Sequence, residues 1–181
     1  TTGGLNTGIG SQALRCNTTG CNNNAIGDSA LFSNISGGNN NAIGPNALKC
    51  NTTGCMNTAI GTNALCNNTT GCYNNAIGET ALNNNTTGNY NNAIGRQALY
   101  SNTTGVNNTA IGLGALGSNT DGDNNISLGT HSGQYLANGW SYLTETNNST
   151  YLGACTRGYA ATASNVTVIG YCACACGDNT V

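Results

Sequence analysis

The chain has 181 residues, and most of it is a repeat with a constant period of 17. The repeated phrase is Ala-Ile-Gly or a close variant, and its central residue recurs at a constant step of 17 from Ile9 to Leu128. A fixed period of this kind is typical of a solenoid, in which each repeat forms one coil that stacks on the next. The period therefore directs the search for function toward surfaces and assembly.

One full repeat, residues 93–109, reads Ala-Ile-Gly-x-x-Ala-Leu-x-x-Asn-Thr-Thr-Gly-x-x-Asn-x. It contains two short apolar patches separated by turn residues, and neither patch is long enough for a helix. We predict an all-β parallel β-roll or β-solenoid with two short strands in each 17-residue coil. Roughly ten coils at the strand spacing of about 4.8 Å would form a rod on the order of 50 Å long.

The predicted core is thin, because aromatic residues make up only 6% of the chain. Alanine, isoleucine and leucine remain to fill it, and we expect the central residue of each Ala-Ile-Gly phrase to point inward. Glycine then supplies positive φ or close backbone approach, and the Asn columns stack in the turns. The predicted core ladder is Ile9, Ile26, Ile43, Ile60, Ile77, Ile94, Ile111, Leu128, Leu152 and Ile169.

The register changes once, where the step from Leu128 to Leu152 is 24 instead of 17. We divide the chain into seven to eight coils (1–129), an inserted aromatic loop (130–149) and C-terminal coils with a cysteine cluster (150–181). The loop is a candidate binding site through Tyr135, Trp140 and Tyr142. The alternative is a thickened coil in which the aromatic side chains plug the core.

The Asn-x-Ala-Ile-Gly-x-x-Ala-Leu run resembles the head repeats of trimeric autotransporter adhesins, and it is more similar still to repeats in phage and giant-virus tail fibres. The C-terminal coils, residues 148–170, resemble those that precede an endosialidase-type intramolecular chaperone in such fibres. The resemblance implies a left-handed β-roll that assembles as a parallel homotrimer on a cell or virion surface.

The chain has ten cysteines, and six of them flank Asn-Thr-Thr-Gly turns in pairs. We favour a disulfide within each turn, and the alternative is a vertical bond between Cys55 and Cys72 on adjacent coils. Disulfides would suit an oxidising, extracellular setting. The flanking pairs are Cys16 with Cys21, Cys50 with Cys55, and Cys66 with Cys72.

The C-terminal cysteines alternate with alanine, so in a strand Cys172, Cys174 and Cys176 would face one side. Cys155 precedes Cys172 by one full repeat and is its candidate partner. Cys174 and Cys176 would then be available for bonds between chains. A thiolate metal site and reduced thiols are the alternatives to disulfides, and we predict no metal and no cofactor.

The composition offers little catalytic or electrostatic chemistry. Charged residues are 6% of the chain and the net charge is −2, so we expect no nucleic-acid partner and no membrane insertion. The carboxylates are scattered, and His131 beside Ser132 does not make a triad, so we predict no enzyme. Five Asn-x-Thr sequons are candidate glycosylation sites, with plain turn residues as the alternative: Asn17, Asn51, Asn68, Asn85 and Asn102.

We therefore predict a segment of a longer structural fibre, a shaft or head for attachment or surface display on a cell or virion. The expected partners are two further copies of the chain and a cell-surface receptor or glycan. A self-polymerising extracellular filament is the first alternative. A ligand-binding or ice-binding solenoid, based on the paired threonines of each turn, is the second.

Overall fold

The computed structural model describes residues 2–139 and 141–179. Ten three-residue strands form one parallel sheet in chain order, and the described residues contain no helix. The prediction of an all-β parallel solenoid is confirmed. The strands are β1 (Thr7–Ile9), β2 (Asn24–Ile26), β3 (Asn41–Ile43), β4 (Thr58–Ile60), β5 (Asn75–Ile77), β6 (Asn92–Ile94), β7 (Thr109–Ile111), β8 (Ile126–Leu128), β9 (Thr150–Leu152) and β10 (Thr167–Ile169).

Equivalent residues of successive coils pair with one another along the whole sheet. Ile60 lies opposite Ile77, for example, and Leu128 lies opposite Leu152 although the insertion separates them along the chain. The sheet therefore continues in register past the insertion. We number the coils by the strand that begins each one.

The prediction of two strands per coil is wrong, because the Ala-Leu patch forms a series of turns. Its leucines have φ between 46° and 54°, a left-handed conformation that an extended strand does not contain. Coils still bond to each other here, and the Leu65 N–H donates to the Ala81 carbonyl at 3.0 Å. The left-handed conformation costs about 1–2 kcal/mol per residue, which burial of a leucine side chain offsets.

The predicted isoleucine core ladder is also wrong. Side chains alternate across a strand, and here alanine points inward while isoleucine points outward. Ala76 is fully buried, whereas Ile77 beside it is 39% exposed. The strand side of the coil has room only for a methyl group, because the leucine of the opposite patch fills the rest of the interior. Leu152 is half-buried, and the other ladder positions are all exposed: Ile9, Ile26, Ile43, Ile60, Ile77, Ile94, Ile111, Leu128 and Ile169.

Two columns of buried asparagines close the corners of the coil. In the first column, Asn68 Nδ2 donates to Asn51 Oδ1 at 2.8 Å and to the Gly71 carbonyl at 2.9 Å. In the second, Asn74 Nδ2 donates to the Gly88 carbonyl, and its Oδ1 accepts the Asn91 N–H. The expected Asn ladders are confirmed, and they satisfy backbone groups that would otherwise be buried without partners.

Two substitutions widen the interior where the inserted residues join the solenoid. Gly133 stands where earlier coils have leucine, and Tyr151 stands where most earlier strands have alanine. Tyr151 is fully buried, and so is Leu143, which belongs to the inserted residues. The Tyr151 hydroxyl lies 3.1 Å from the Thr146 hydroxyl, which gives its polar end a partner.

Candidate association surface and ligand groove

The outer face of the sheet carries a continuous apolar row, which we call the isoleucine ridge. It consists of the third residue of each strand, from Ile9 to Ile169, so it presents one aliphatic side chain per coil. Most of its members are 37% to 64% exposed. The first residue of each strand is asparagine or threonine, except Ile126 in β8, and these residues form a parallel polar row. Within it, Asn75 Nδ2 donates to Asn92 Oδ1 at 2.8 Å. Monomeric proteins rarely expose an apolar surface this extended.

A smaller apolar patch lies on the other side of the polar row from the ridge, two residues before the start of three successive strands. It contains Met56, Tyr73 and Tyr90, all of which are exposed. The rings of Tyr73 and Tyr90 stack with centroids 4.9 Å apart. In the middle coils, the polar row therefore separates two apolar surfaces.

The insertion folds over the solenoid and forms one side of a groove of about 430 Å³. Tyr135 and Tyr142 pair in antiparallel fashion, and their rings stack with centroids 5.4 Å apart. The groove lies between this hairpin and the turns of the preceding coils. It is lined by Gln97, Tyr100, Ser101, Gly117, Ser118, Thr120, Gln134, Tyr142 and Thr144, none of which is charged.

The described residues of the candidate binding loop have different environments in the structure. Tyr142 lines the groove, and the ring of Tyr135 stacks on the ring of Tyr142. Trp140 lies outside the described residues. Leu143 enters the core instead, so the insertion both thickens the coil and builds an external surface.

The cysteines that flank the turns approach each other between coils. The Sγ atoms of Cys55 and Cys72 are 3.0 Å apart. The Cys72 thiol, followed by burial, raises the pKa of Cys55 to about 11. The Cys50 N–H donates to the Cys66 carbonyl at 2.9 Å, and burial together with the Cys50 thiol raises the pKa of Cys66. These contacts favour the vertical alternative over bonds within a turn.

The remaining cysteines fall into two groups. Burial and the neighbouring Cys172 thiol raise the pKa of Cys155, consistent with the expected proximity of these two residues. Cys174 and Cys176 are exposed like Cys172, while Ala175 between them is buried. Cys16 and Cys21 are exposed, and the next coil has Ser33 and Gly38 at their positions.

The structure favours the alternative of plain turn residues at the five candidate glycosylation sites, because a glycan attaches to Nδ2 of asparagine and these Nδ2 atoms donate hydrogen bonds in the first Asn ladder. Asn51, Asn68, Asn85 and Asn102 are fully buried, and Asn17 donates to the Gly20 carbonyl in the same column. Among the other sequons, Asn148 and Asn165 are both exposed.

The threonine pairs do not form a free hydroxyl array. The first threonine of each pair donates its hydroxyl to a carbonyl of the next coil, as Thr69 does to Thr86 at 2.9 Å. Apart from Thr18 in the first coil, only the second threonine of each pair, such as Thr70, is exposed. This arrangement weakens the ice-binding alternative, because half of the expected hydroxyl surface is already bonded.

Within residues 2–139 and 141–179, no group of three His, Cys, Asp or Glu side chains is arranged to hold a metal ion. His131 Nδ1 lies 2.6 Å from Gln134 Oε1, and Asp123 Oδ1 accepts the Val106 N–H. The same part of the chain contains no helix with the length and hydropathy to cross a membrane.

Sequence reasoning missed the ridge and the groove for different reasons. The signal for the ridge is the alternation of small and large residues in Asn-Ala-Ile, because a strand places these two apolar side chains on opposite faces. The groove depends on how the inserted residues fold back on earlier coils, and no periodic pattern encodes that path.

Comparison with known proteins gives no relatives: no family model, no curated protein and no solved structure matches this chain.

Proposed function

We propose that the chain is a non-catalytic structural segment of an extracellular or virion fibre, and that copies of it associate in parallel through the isoleucine ridge. The observation that supports this proposal is the ridge itself, which leaves one large aliphatic side chain per coil partly in water. A stable surface of this kind is expected to be covered by a partner.

The spacing of the ridge favours a second copy of the same chain as that partner. Ridge residues recur at the parallel strand spacing of about 4.8 Å, coil after coil. A parallel copy offers the same spacing over the same length, so side chains can interdigitate along the entire rod. A globular partner has no reason to match ten consecutive coils.

Burial of the ridge contributes a free energy of the order that association requires. Full burial of an isoleucine contributes about 1.5–3 kcal/mol, so covering the roughly 40% still exposed contributes about 0.6–1.2 kcal/mol per residue. Nine exposed ridge residues then contribute about 5–11 kcal/mol per chain. This is comparable with the association cost of about 4–15 kcal/mol. The proposed state is a trimer, on the basis of the resemblance to adhesin and tail-fibre repeats.

The test is native mass by light scattering on the chain and on a triple ridge variant, Ile60→Asn, Ile77→Asn and Ile94→Asn. The matched control substitutes exposed threonines of the same coils, Thr70→Asn, Thr87→Asn and Thr104→Asn.

We expect a trimer for the parent and the control, and a monomer with unchanged circular dichroism for the ridge variant. A monomeric parent would overturn the proposal. Open-ended growth of the parent would instead favour the filament.

A second candidate function is recognition of a neutral glycan in the groove beside the insertion. Two tyrosines, two glutamines and several hydroxyl side chains line it without any charge. Its volume is within the range of small-ligand sites, about 300–1,000 Å³. Tyrosine presents an apolar face and a polar tip, which suits a sugar ring.

This candidate is tested on an array of neutral and sialylated glycans. Tyr142→Ala should abolish any binding of a neutral glycan, whereas Tyr90→Ala, an exposed tyrosine outside the groove, should leave it unchanged. Equal loss in both variants, or no bound glycan, would remove this function.

A further inference from the structure

We infer that three disulfides bind adjacent coils to each other: Cys50 to Cys66, Cys55 to Cys72, and Cys155 to Cys172. The first two both join coil 3 to coil 4, one on each side of the stacked turns, and the third joins coil 9 to coil 10. The inference concerns covalent cross-linking within one chain, so it is independent of the association proposed above.

The Cys55–Cys72 pair carries the argument. Its sulfur atoms are 3.0 Å apart, and the Cys55 N–H also points to Cys72 Sγ at 3.1 Å. The stacking distance of about 4.8 Å between equivalent residues of adjacent coils lies within the Cα separation of a disulfide. Small side-chain rotations bring the sulfurs to the bonding distance of about 2.05 Å.

The other two pairs are placed in a similar way. Cys50 and Cys66 are joined by a backbone hydrogen bond between their coils, and their thiols are neighbours. Cys155 and Cys172 stand at equivalent positions of adjacent coils with matching φ of 58° and 54°. After burial, the Cys172 thiol is the next cause that raises the pKa of Cys155.

Cys16 and Cys21 have no such partner, because the equivalent positions of coil 2 hold Ser33 and Gly38. Cysteines two coils away, such as Cys50, are about 9.6 Å distant by the strand spacing, which exceeds the reach of a disulfide. Six cysteines therefore have a cysteine neighbour in the adjacent coil, whereas the two at the start of the solenoid have none.

Formation of each bond needs a two-electron oxidant, and a small-molecule disulfide such as oxidised glutathione supplies it. One cysteine thiolate attacks the small disulfide, which releases one small thiol and leaves a mixed disulfide. The second cysteine thiolate then displaces the other small thiol and closes the protein bond. Each protein disulfide thus consumes one small disulfide and yields two small thiols. The six cysteines are exposed or half-buried, so the oxidant can reach them.

The single methionine, Met56, makes the pairing directly testable. Cyanogen bromide cleaves after Met56, which lies between the cysteines of coil 3 and those of coil 4. We expect the two fragments of the oxidised chain to run as one species of single-chain mass on a non-reducing gel and to separate after reduction. Bonds within turns would release the fragments without reduction, and this result would overturn the inference.

Paired variants distinguish the two bonds and provide matched controls. Cys55→Ser with Cys72→Ser retains Cys50–Cys66, and Cys50→Ser with Cys66→Ser retains Cys55–Cys72, so the fragments should stay joined in both. Cys55→Ser with Cys66→Ser leaves one cysteine of each pair, and its fragments should separate. Joined fragments in this last variant would show that the assigned pairing is wrong.

The third bond is tested by trypsin, because Arg157 lies between Cys155 and Cys172. After non-reducing digestion of the unfolded chain, the peptides on either side of Arg157 should remain linked until reductant is added. Alkylation should detect four free thiols of the ten, and Cys16→Ser with Cys21→Ser should lower that number by two. An unlinked peptide pair would remove Cys155–Cys172 from the assignment.

Discussion

The Tyr151 ring occupies the space that a side chain at Gly133 would otherwise fill. A Cβ atom at Gly133 would lie 2.9 Å from Tyr151 Cδ2 and 3.0 Å from a methyl group of Leu116. Earlier coils place leucine at the position of Gly133, and most place alanine at that of Tyr151. The large and the small residue have therefore exchanged places across the interior.

This exchange predicts strong coupling between the two positions. Tyr151→Ala should destabilise the chain by about 3–5 kcal/mol through a cavity, and Gly133→Leu by about 1–3 kcal/mol through overpacking. The double variant should be more stable than the sum of these losses by about 0.5–3 kcal/mol. Urea unfolding of the four proteins measures the coupling, and simple additivity would contradict it.

Burial of Tyr151 also predicts a stability loss at alkaline pH. Burial raises the pKa of Tyr151 in the folded chain, so the unfolded chain ionises first as the pH rises. The contribution is fully present below the unfolded pKa of about 10 and declines above it. Tyr151→Phe should show a smaller loss of unfolding free energy between neutral and alkaline pH than the parent. Parallel curves for the two proteins would contradict the assignment.

The buried Asn ladder should be far more sensitive to substitution than the exposed asparagines beside it. Asn68→Ala removes the donor to Asn51 and to Gly71, and it leaves Asn85 without its acceptor. We expect a loss of about 2–4 kcal/mol, because several buried polar groups become unsatisfied. The matched control, Asn67→Ala on the exposed neighbour, should change stability by less than about 0.5 kcal/mol. Comparable losses at both positions would show that the ladder is not the source of the effect.

The left-handed leucines predict an unusual order of stability between alanine and glycine. Leu65 has φ of 50° and is fully buried, so Leu65→Ala should cost about 2–5 kcal/mol. Glycine ordinarily destabilises regular structure relative to alanine, but it adopts positive φ without strain. Thermal unfolding should therefore show Leu65→Gly to be at least as stable as Leu65→Ala. A lower melting temperature for the glycine variant would contradict the conformational argument.

The sequence alone determined the repeat, the parallel all-β class and the stacking of asparagines, because strict periodicity forces equivalent residues into columns. It did not determine which side of each strand faces inward, since Ala25 and Ile26 are both apolar and only the available interior volume selects alanine. Nor did it determine the sulfur partners, because Cys55 lies near Cys50 along the chain but next to Cys72 across the coils. The groove likewise exists only after the insertion packs against earlier turns. The stacking of equivalent residues in columns follows from the order of residues. Which side chains point inward, which cysteines are neighbours and where a groove forms depend on how much space three-dimensional packing leaves.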